Sequence, residues 1–217
     1  MTQKSVVVVD YGMGNVLSVC RAFENQGANV VLTGQAGEIA GAERLILPGV
    51  GAFGDCMKAL EERELVEPIL EFVRSERPFL GICVGMQILL EIGEEFGEHP
   101  GLGLIPGRVV KIDTTLSDGS TRKIPHIGWT AIAPPAEANG NRWTTSMFGE
   151  TVPRTPFYFV HSFTARPTNA ADVLAVADYA GATVTAAVRR DNVTGVQFHP
   201  EKSGAAGLAA LRRFVAM

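Results

Sequence analysis

Short apolar runs and helical spacings alternate through the first half of the chain. Val6-Val7-Val8-Val9, Val30-Val31-Leu32, Leu45-Ile46-Leu47 and Phe79-Leu80-Gly81-Ile82 have no polar face and predict buried strands. Between them, Val16 to Gln26, Asp55 to Leu60, Val66 to Arg74 and Val84 to Ile92 carry apolar residues near helical spacing and predict helices. Strand, helix, strand, helix is the order of a parallel sheet covered by helices on both faces.

The second half changes character. Val109 to Ile112, Thr130 to Ile132, Phe157 to Val160, Val173 to Val176, Val184 to Val188 and Val193 to Phe198 read as strands joined by short turns, which predicts antiparallel or mixed pairing. Pro134 to Pro156, rich in Pro, Asn, Gly and Thr, predicts a long surface loop, and Ala205 to Val215 a closing amphipathic helix. The expected fold is α/β: a central, mostly parallel sheet flanked by helices, with an added antiparallel portion. Residues 1–217 are expected to form a single domain.

Composition narrows the partners. With 46% hydrophobic and 19% charged residues and a formal charge of −4, the chain has core material and no basic footprint for nucleic acid. The four-valine run is broken by Asp10 and is too short for a signal-peptide core, and no apolar stretch has the length of a membrane span. Three cysteines without regular spacing form no disulfide framework, so a cytoplasmic location is expected. His99, His126, His161 and His199 lie far apart in sequence without zinc-type spacing, and no metal is expected. Asp10 to Asn15, DYGMGN, lacks the third glycine of a dinucleotide fingerprint because Leu17 stands there, so no nicotinamide cofactor is expected. The acidic stretches Glu61 to Glu64 and Glu91 to Glu98 read as solvated helix faces.

Three strings carry chemistry. GICVGMQ, Gly81 to Gln87, sets Cys83 between two glycines directly after a strand and before a helix, the layout of a nucleophile elbow. A helix N-terminus there would favour a thiolate and offer N–H groups to an oxyanion. GVQFHPEK, Gly195 to Lys202, supplies His199 as a general base and Glu201 two residues on, on the same side of an extended chain stiffened by Pro200. LPGVGAFGD, Leu47 to Asp55, follows a strand with three glycines in six residues, a loop whose backbone can approach a ligand closely. Cys20 and Cys56, on helical patterns, read as small buried apolar residues.

Together these strings resemble the class I (triad) glutamine amidotransferases. DYGMGN, LPGVGAFGDCM, PHIGW, YFVHSF and FHPEKSG are similar, within that class, to the glutaminase subunits of imidazole glycerol phosphate synthase, from about Val6 to the C-terminus. The resemblance implies a Cys83 nucleophile, a His199 base oriented by Glu201, and oxyanion donors in the backbone at Val50 and Val84. It implies that Gly49, Gln87, Glu95, Ser162 and Phe163 hold L-glutamine, and that Asn15, Trp129 and Lys202 face a (β/α)8-barrel cyclase subunit in a heterodimer. No cofactor is implied. Two positions depart from the family pattern: Thr130 replaces a common Asn and Phe163 a common Tyr. A glutaminase subunit of another synthase and a non-catalytic glutamine-binding module remain alternatives. Pro48-Gly49-Val50-Gly51 joins a rigid residue to permissive ones, so the Val50 peptide could rest in a non-productive orientation until a partner docks.

Overall fold

A computed structural model describes residues 4–116, 118–136 and 141–217. The valine run becomes β1 (Ser5–Val9), and the next apolar runs become β2 (Asn29–Thr33), β3 (Leu45–Gly49) and β4 (Phe79–Cys83). Every residue of β3 and β4 is buried. Central parallel strands meet cover on both faces, which leaves no polar alternation to read. That cover comes from α1 (Val16–Glu24), α2 (Ala36–Ala40), α3 (Phe53–Glu62) and α4 (Val66–Arg74). In α1, Val19, Cys20, Ala22 and Phe23 form the buried stripe, and Phe23 meets Phe214 edge-on at 6.3 Å. The short α2 was not expected from the sequence; Ile39 is its buried anchor, too little for a period to register.

The helix expected from Val84 to Ile92 is cut short. α5 (Val84–Gln87) lasts one turn, and the chain extends again as β5 (Leu90–Gly93). Leu90 is buried and Glu91 exposed, a strand alternation satisfied by a second sheet. β6 (His99–Pro100), β7 (Ile105–Lys111) and β10 (Phe163–Pro167) complete it in the order β10-β7-β5-β6. The acidic stretch Glu91 to Glu98 is therefore strand and turn, not helix face: Glu91 accepts from the Gly107 amide at 2.9 Å, and Glu94 and Glu98 pair with Arg108.

The second-half runs become β8 (His126–Ala133), β9 (Pro156–His161), β11 (Val173–Tyr179), β12 (Ala182–Arg190) and β13 (Val193–Val196). Among the described residues the main sheet has nine strands in the order β2-β1-β3-β4-β13-β12-β11-β8-β9. Pairing is parallel from β2 to β13 and antiparallel from β13 outward.

The expected loop from Pro134 to Pro156 is less superficial than its composition implies, although 137–140 lie outside the described residues. It contains α6 (Asn141–Thr144) and buries Trp143, Met147 and Phe148, with the Phe148 ring 6.1 Å from that of Phe198. Three large apolar side chains anchor the segment, and polar ones tie it down further: Arg142 donates to the Arg189 carbonyl and Glu150 pairs with Arg212. α7 (Gly204–Ala216) closes the chain, and Arg213 in its last turn donates to the carbonyls of Ser146 and Thr144. Among the described residues no helix is long and apolar enough to cross a membrane.

Candidate active site

β4 ends at Cys83, whose φ of 57° and ψ of −115° lie where a side-chain-bearing residue is rarely held. Its flanking glycines make that turn possible. A Cβ on Gly81 would stand 2.5 Å from the Gly85 carbonyl oxygen, and one on Gly85 1.9 Å from that of Leu47. Glycine at both places is a steric demand of folding the backbone over β3. With α5 one turn long, the helix dipole expected to favour a thiolate is small, and the local N–H groups of the turn, Val84 first, are the donors on offer.

Strand register brings the other groups to the same edge. Gly49 pairs with Cys83 and Val196 with Ile82, so β3, β4 and β13 end side by side and the segment after β13 reaches His199. His199 Nδ1 lies 2.8 Å from Glu201 Oε1, with both side chains almost wholly buried. The two were expected on one side of an extended chain; instead Pro200–Lys202 forms a 3-10 turn. Proline lacks the N–H to continue a ladder and occupies the first position of that turn, which swings Glu201 back beneath the imidazole.

Burial is the largest influence on His199 and pulls its pKa down. Hydrogen bonds and charge from Cys83 and Glu201 act the other way and together raise it from 6.5 to about 9. At neutral pH the ring therefore carries both protons, within hydrogen-bonding reach of the Cys83 sulfur.

A cleft of about 280 Å³ opens over this pair, and Val50, Val84, Gln87, Glu95, Ser162 and Phe163 line it with Cys83 and His199. Gly49 lies beneath and is fully covered; a Cβ there would stand 2.6 Å from the Gly85 nitrogen. Glu95 accepts from the Phe53 amide at 3.0 Å, and the Ser162 carbonyl from the Ile112 amide at 2.9 Å. Two residues that the sequence did not single out hold the loop around Val50. Tyr11 Oη donates to the Pro48 carbonyl at 2.7 Å, and Cys56 Sγ to the Val50 carbonyl at 3.4 Å. Burial pushes the Cys56 thiol up to about 11, so it stays protonated and able to donate. Cys56 is thus more than the inert filler its helical spacing implied.

Gln197 and His161 were also missed. His161 lines the cleft, and Gln197 Nε2 points at Cys83 Sγ from 3.8 Å. For Gln197 a signal was present: it stands two residues before His199 in an extended segment and so shares its face. Asn15, Trp129 and Lys202 are exposed and lie outside the cleft lining. Asn15 stands just before α1, the turn holding Lys202 packs against α1 and β9, and the Trp129 ring reaches within 3.9 Å of the Cβ position of Gly204. The fold thus places the Lys202 turn between the other two.

Residues 7–217 match the glutamine amidotransferase class-I family. An imidazole glycerol phosphate synthase subunit HisH 1 of Legionella pneumophila (strain Lens) is 47% identical over 211 residues, covering 97% of this chain and 98% of its own. The HisH subunit of Syntrophotalea carbinolica is 48% identical over 210 residues, covering 96% and 98%. Among solved structures, PurLQS from Thermotoga maritima superimposes with a TM-score of 0.74 at 21% identity, covering 99% of both chains, a likeness of fold. The chain therefore belongs to the class-I glutamine amidotransferases and, within them, to the family of imidazole glycerol phosphate synthase HisH subunits.

Proposed function

We propose that the chain is the glutaminase subunit of an imidazole glycerol phosphate synthase, releasing ammonia from L-glutamine with Cys83, His199 and Glu201. The observation that carries this reading is the strained Cys83 turn set against a buried His199–Glu201 pair at the floor of the cleft. The Cys83 thiolate attacks the side-chain amide carbon, and the resulting oxyanion is held by backbone N–H groups at Val84 and Val50. His199, already protonated, gives its proton to the leaving nitrogen, and ammonia departs. His199 then takes a proton from water, which attacks the thioester and frees glutamate. Glu201 keeps the imidazole oriented throughout.

At the substrate end, both hydrogens of the Gln87 amide are engaged, by the Phe163 carbonyl at 3.3 Å and Gln197 Oε1 at 3.0 Å. Its oxygen is left as the acceptor for a ligand, and with the Glu95 carboxylate it suits the ammonium of an amino acid. Gly49, beneath the cleft, carries the Val50 peptide, and the backbone around Ser162 and Phe163 completes the site. No cofactor takes part. The chain acts as one domain in the cytoplasm, as half of a heterodimer with a (β/α)8-barrel cyclase that docks over Asn15, Trp129 and Lys202 and consumes the ammonia in a lyase reaction of histidine biosynthesis. The hydrogen bonds from Tyr11 and Cys56 hold the carbonyls on either side of the Gly49–Val50 peptide. This supports a hinge in which that one peptide turns to aim the Val50 N–H, and a missing oxyanion donor costs about 10²- to 10³-fold in rate.

The test is glutamate release by the chain alone, with the cyclase, and with the cyclase and its nucleotide ligand. Release that rises stepwise across the three supports the reading. Release by the chain alone at the full rate removes the hinge, and no release in any arm removes the glutaminase assignment. Stimulation by a different synthase instead of the cyclase would change the partner.

A further inference from the structure

A continuous run of hydrogen bonds connects β8, away from the reacting groups, to the nucleophile. Thr130 Oγ1 lies 2.7 Å from His126 Nε2, His126 Nδ1 2.9 Å from His161 Nε2, and His161 Nδ1 2.8 Å from the Phe163 carbonyl oxygen. That carbonyl also accepts from Gln87, which donates to Gln197, whose Nε2 approaches Cys83 Sγ. His126, His161, Gln87 and Gln197 are all buried, and Thr130 and Phe163 half-buried.

The chemistry of the ends fixes the direction of every bond. A carbonyl oxygen carries no proton, so His161 must donate from Nδ1 and its Nε2 is left to accept. His126 must then donate from Nδ1, and Thr130 must donate to His126 Nε2. Both rings are required in the neutral Nδ1–H tautomer, the one a free imidazole disfavours. The His126 ring lies nearly parallel to those of Tyr179, at 3.9 Å, and Phe159, at 4.8 Å. Burial pulls both histidines from 6.5 to about 4, in agreement with neutral rings at working pH.

We propose that His126, His161 and Gln197 are positioning residues of the glutaminase, forming one polar strut that fixes the Phe163 carbonyl at the substrate end and the Cys83 sulfur at the reacting end. The inference rests on the glutaminase reading. A buried network of this kind is costly unless every member is satisfied, and here the bonds are made member by member up to the sulfur. Gln197 contributes an N–H that steadies a thiolate, and His161 stops the Phe163 carbonyl from swinging into the space a substrate needs.

Two measurements test the strut. Long-range ¹H–¹⁵N correlation spectra of histidine-labelled chain are expected to show His126 and His161 neutral and protonated at Nδ1 at about neutral pH. In the cyclase-activated enzyme, Gln197→Met, which keeps length but removes both amide groups, is expected to lower kcat about tenfold with little change in KM. His161→Leu is expected to raise KM for glutamine about tenfold, whereas His161→Asn, whose amide can replace the Nδ1 donor, restores it toward the wild-type value. Nδ1–H rings with this split support the strut. An Nε2–H tautomer at either ring, or wild-type constants in folded Gln197→Met and His161→Leu, overturns it. Should the substitutions unfold the chain, the wild-type tautomers decide alone. If wild-type complex turns over no glutamine, the glutaminase reading falls, and the spectra still report whether the strut exists.

Discussion

Acid should destabilise this protein well above the pH at which its carboxylates titrate, because two of its histidines are built to stay neutral. In the unfolded chain an imidazole binds its proton near pH 6.5, whereas burial holds His126 and His161 down to about 4 in the folded state. The unfolded state therefore binds more protons as pH drops below 6.5, and stability present above that value is lost on the way to 4. Each unmatched proton gives a slope of about 1.4 kcal/mol per pH unit, so the fall from 6.5 to about 4 amounts to about 3 kcal/mol for His161. His126, bonded to it and equally shielded, adds a similar amount at most, since the first proton to enter repels the second. The pair would remove a large share of a typical domain stability of about 5–15 kcal/mol. His199 does not oppose this: its pKa is raised, so its contribution is complete below 6.5 and is lost only as pH rises through about 9. Urea unfolding at intervals from about pH 7 to pH 4.5 would measure the effect, with His161→Asn, which cannot charge there, expected to halve the slope. Stability that stays flat from pH 6.5 to 4.5 would refute the reasoning.

Three other outcomes are expected. Cys83→Ala should abolish glutamate release while ammonium salts still support synthesis by the complex, and NMR titration should find the His199 pKa lowered from about 9 because its hydrogen bond to Cys83 is gone; an unchanged pKa would show that Cys83 does not face the ring. His199→Ala should reduce kcat by about a hundredfold or more, and Glu201→Gln by less, because losing the base costs more than losing its orienting group; steady-state kinetics in the opposite order would reverse the two roles. Gly85→Ala forces a Cβ to 1.9 Å from a backbone oxygen of β3, so a loss of about 3 kcal/mol or more is expected; a wild-type melting temperature would mean that the elbow can open without cost.

The parallel half of the fold was legible because its signals are local. Val6 to Val9 and Leu45 to Leu47 are apolar without interruption, and β1 and β3 are interior strands with a neighbour on either side. Cys83 was legible for a similar reason, since glycines at two fixed offsets report a steric demand within five residues. What the sequence hid depends on pairing. Val84 to Ile92 has helical apolar spacing, yet from Leu90 the second sheet offers a ladder, and tertiary pairing overrides the local pattern. His126 and His161 looked unrelated at 35 residues apart, and they meet because β8 and β9 pair in a register that sets one opposite the other. Tyr11 and Cys56 act through single bonds to the carbonyls of Pro48 and Val50, a relation no spacing records. Thr130 and Phe163 looked like separate departures from the family pattern, and the structure puts them at two points of the same hydrogen-bonded run.

The site exists because the sheet changes direction where it does. β3, β4 and β13 are adjacent and parallel, so their C-terminal ends deliver the Val50 loop, Cys83 and the His199 segment to one edge at strand spacing, about 4.8 Å apart. Were β13 antiparallel to β4, its C-terminal end would lie at the opposite edge and His199 could not approach the sulfur. From β12 outward the pairing is antiparallel, which frees β8 and β9 to run back past the same edge and bring His161 and the Phe163 carbonyl over the cleft. Cys83 thus ends a fully buried strand and Gln87 follows it closely, whereas Ser162 and Phe163 come from the half with an exposed face at Ile127 and Trp129. A partner that covers this face can press on the Ser162–Phe163 side of the cleft while leaving β4 and Cys83 in place.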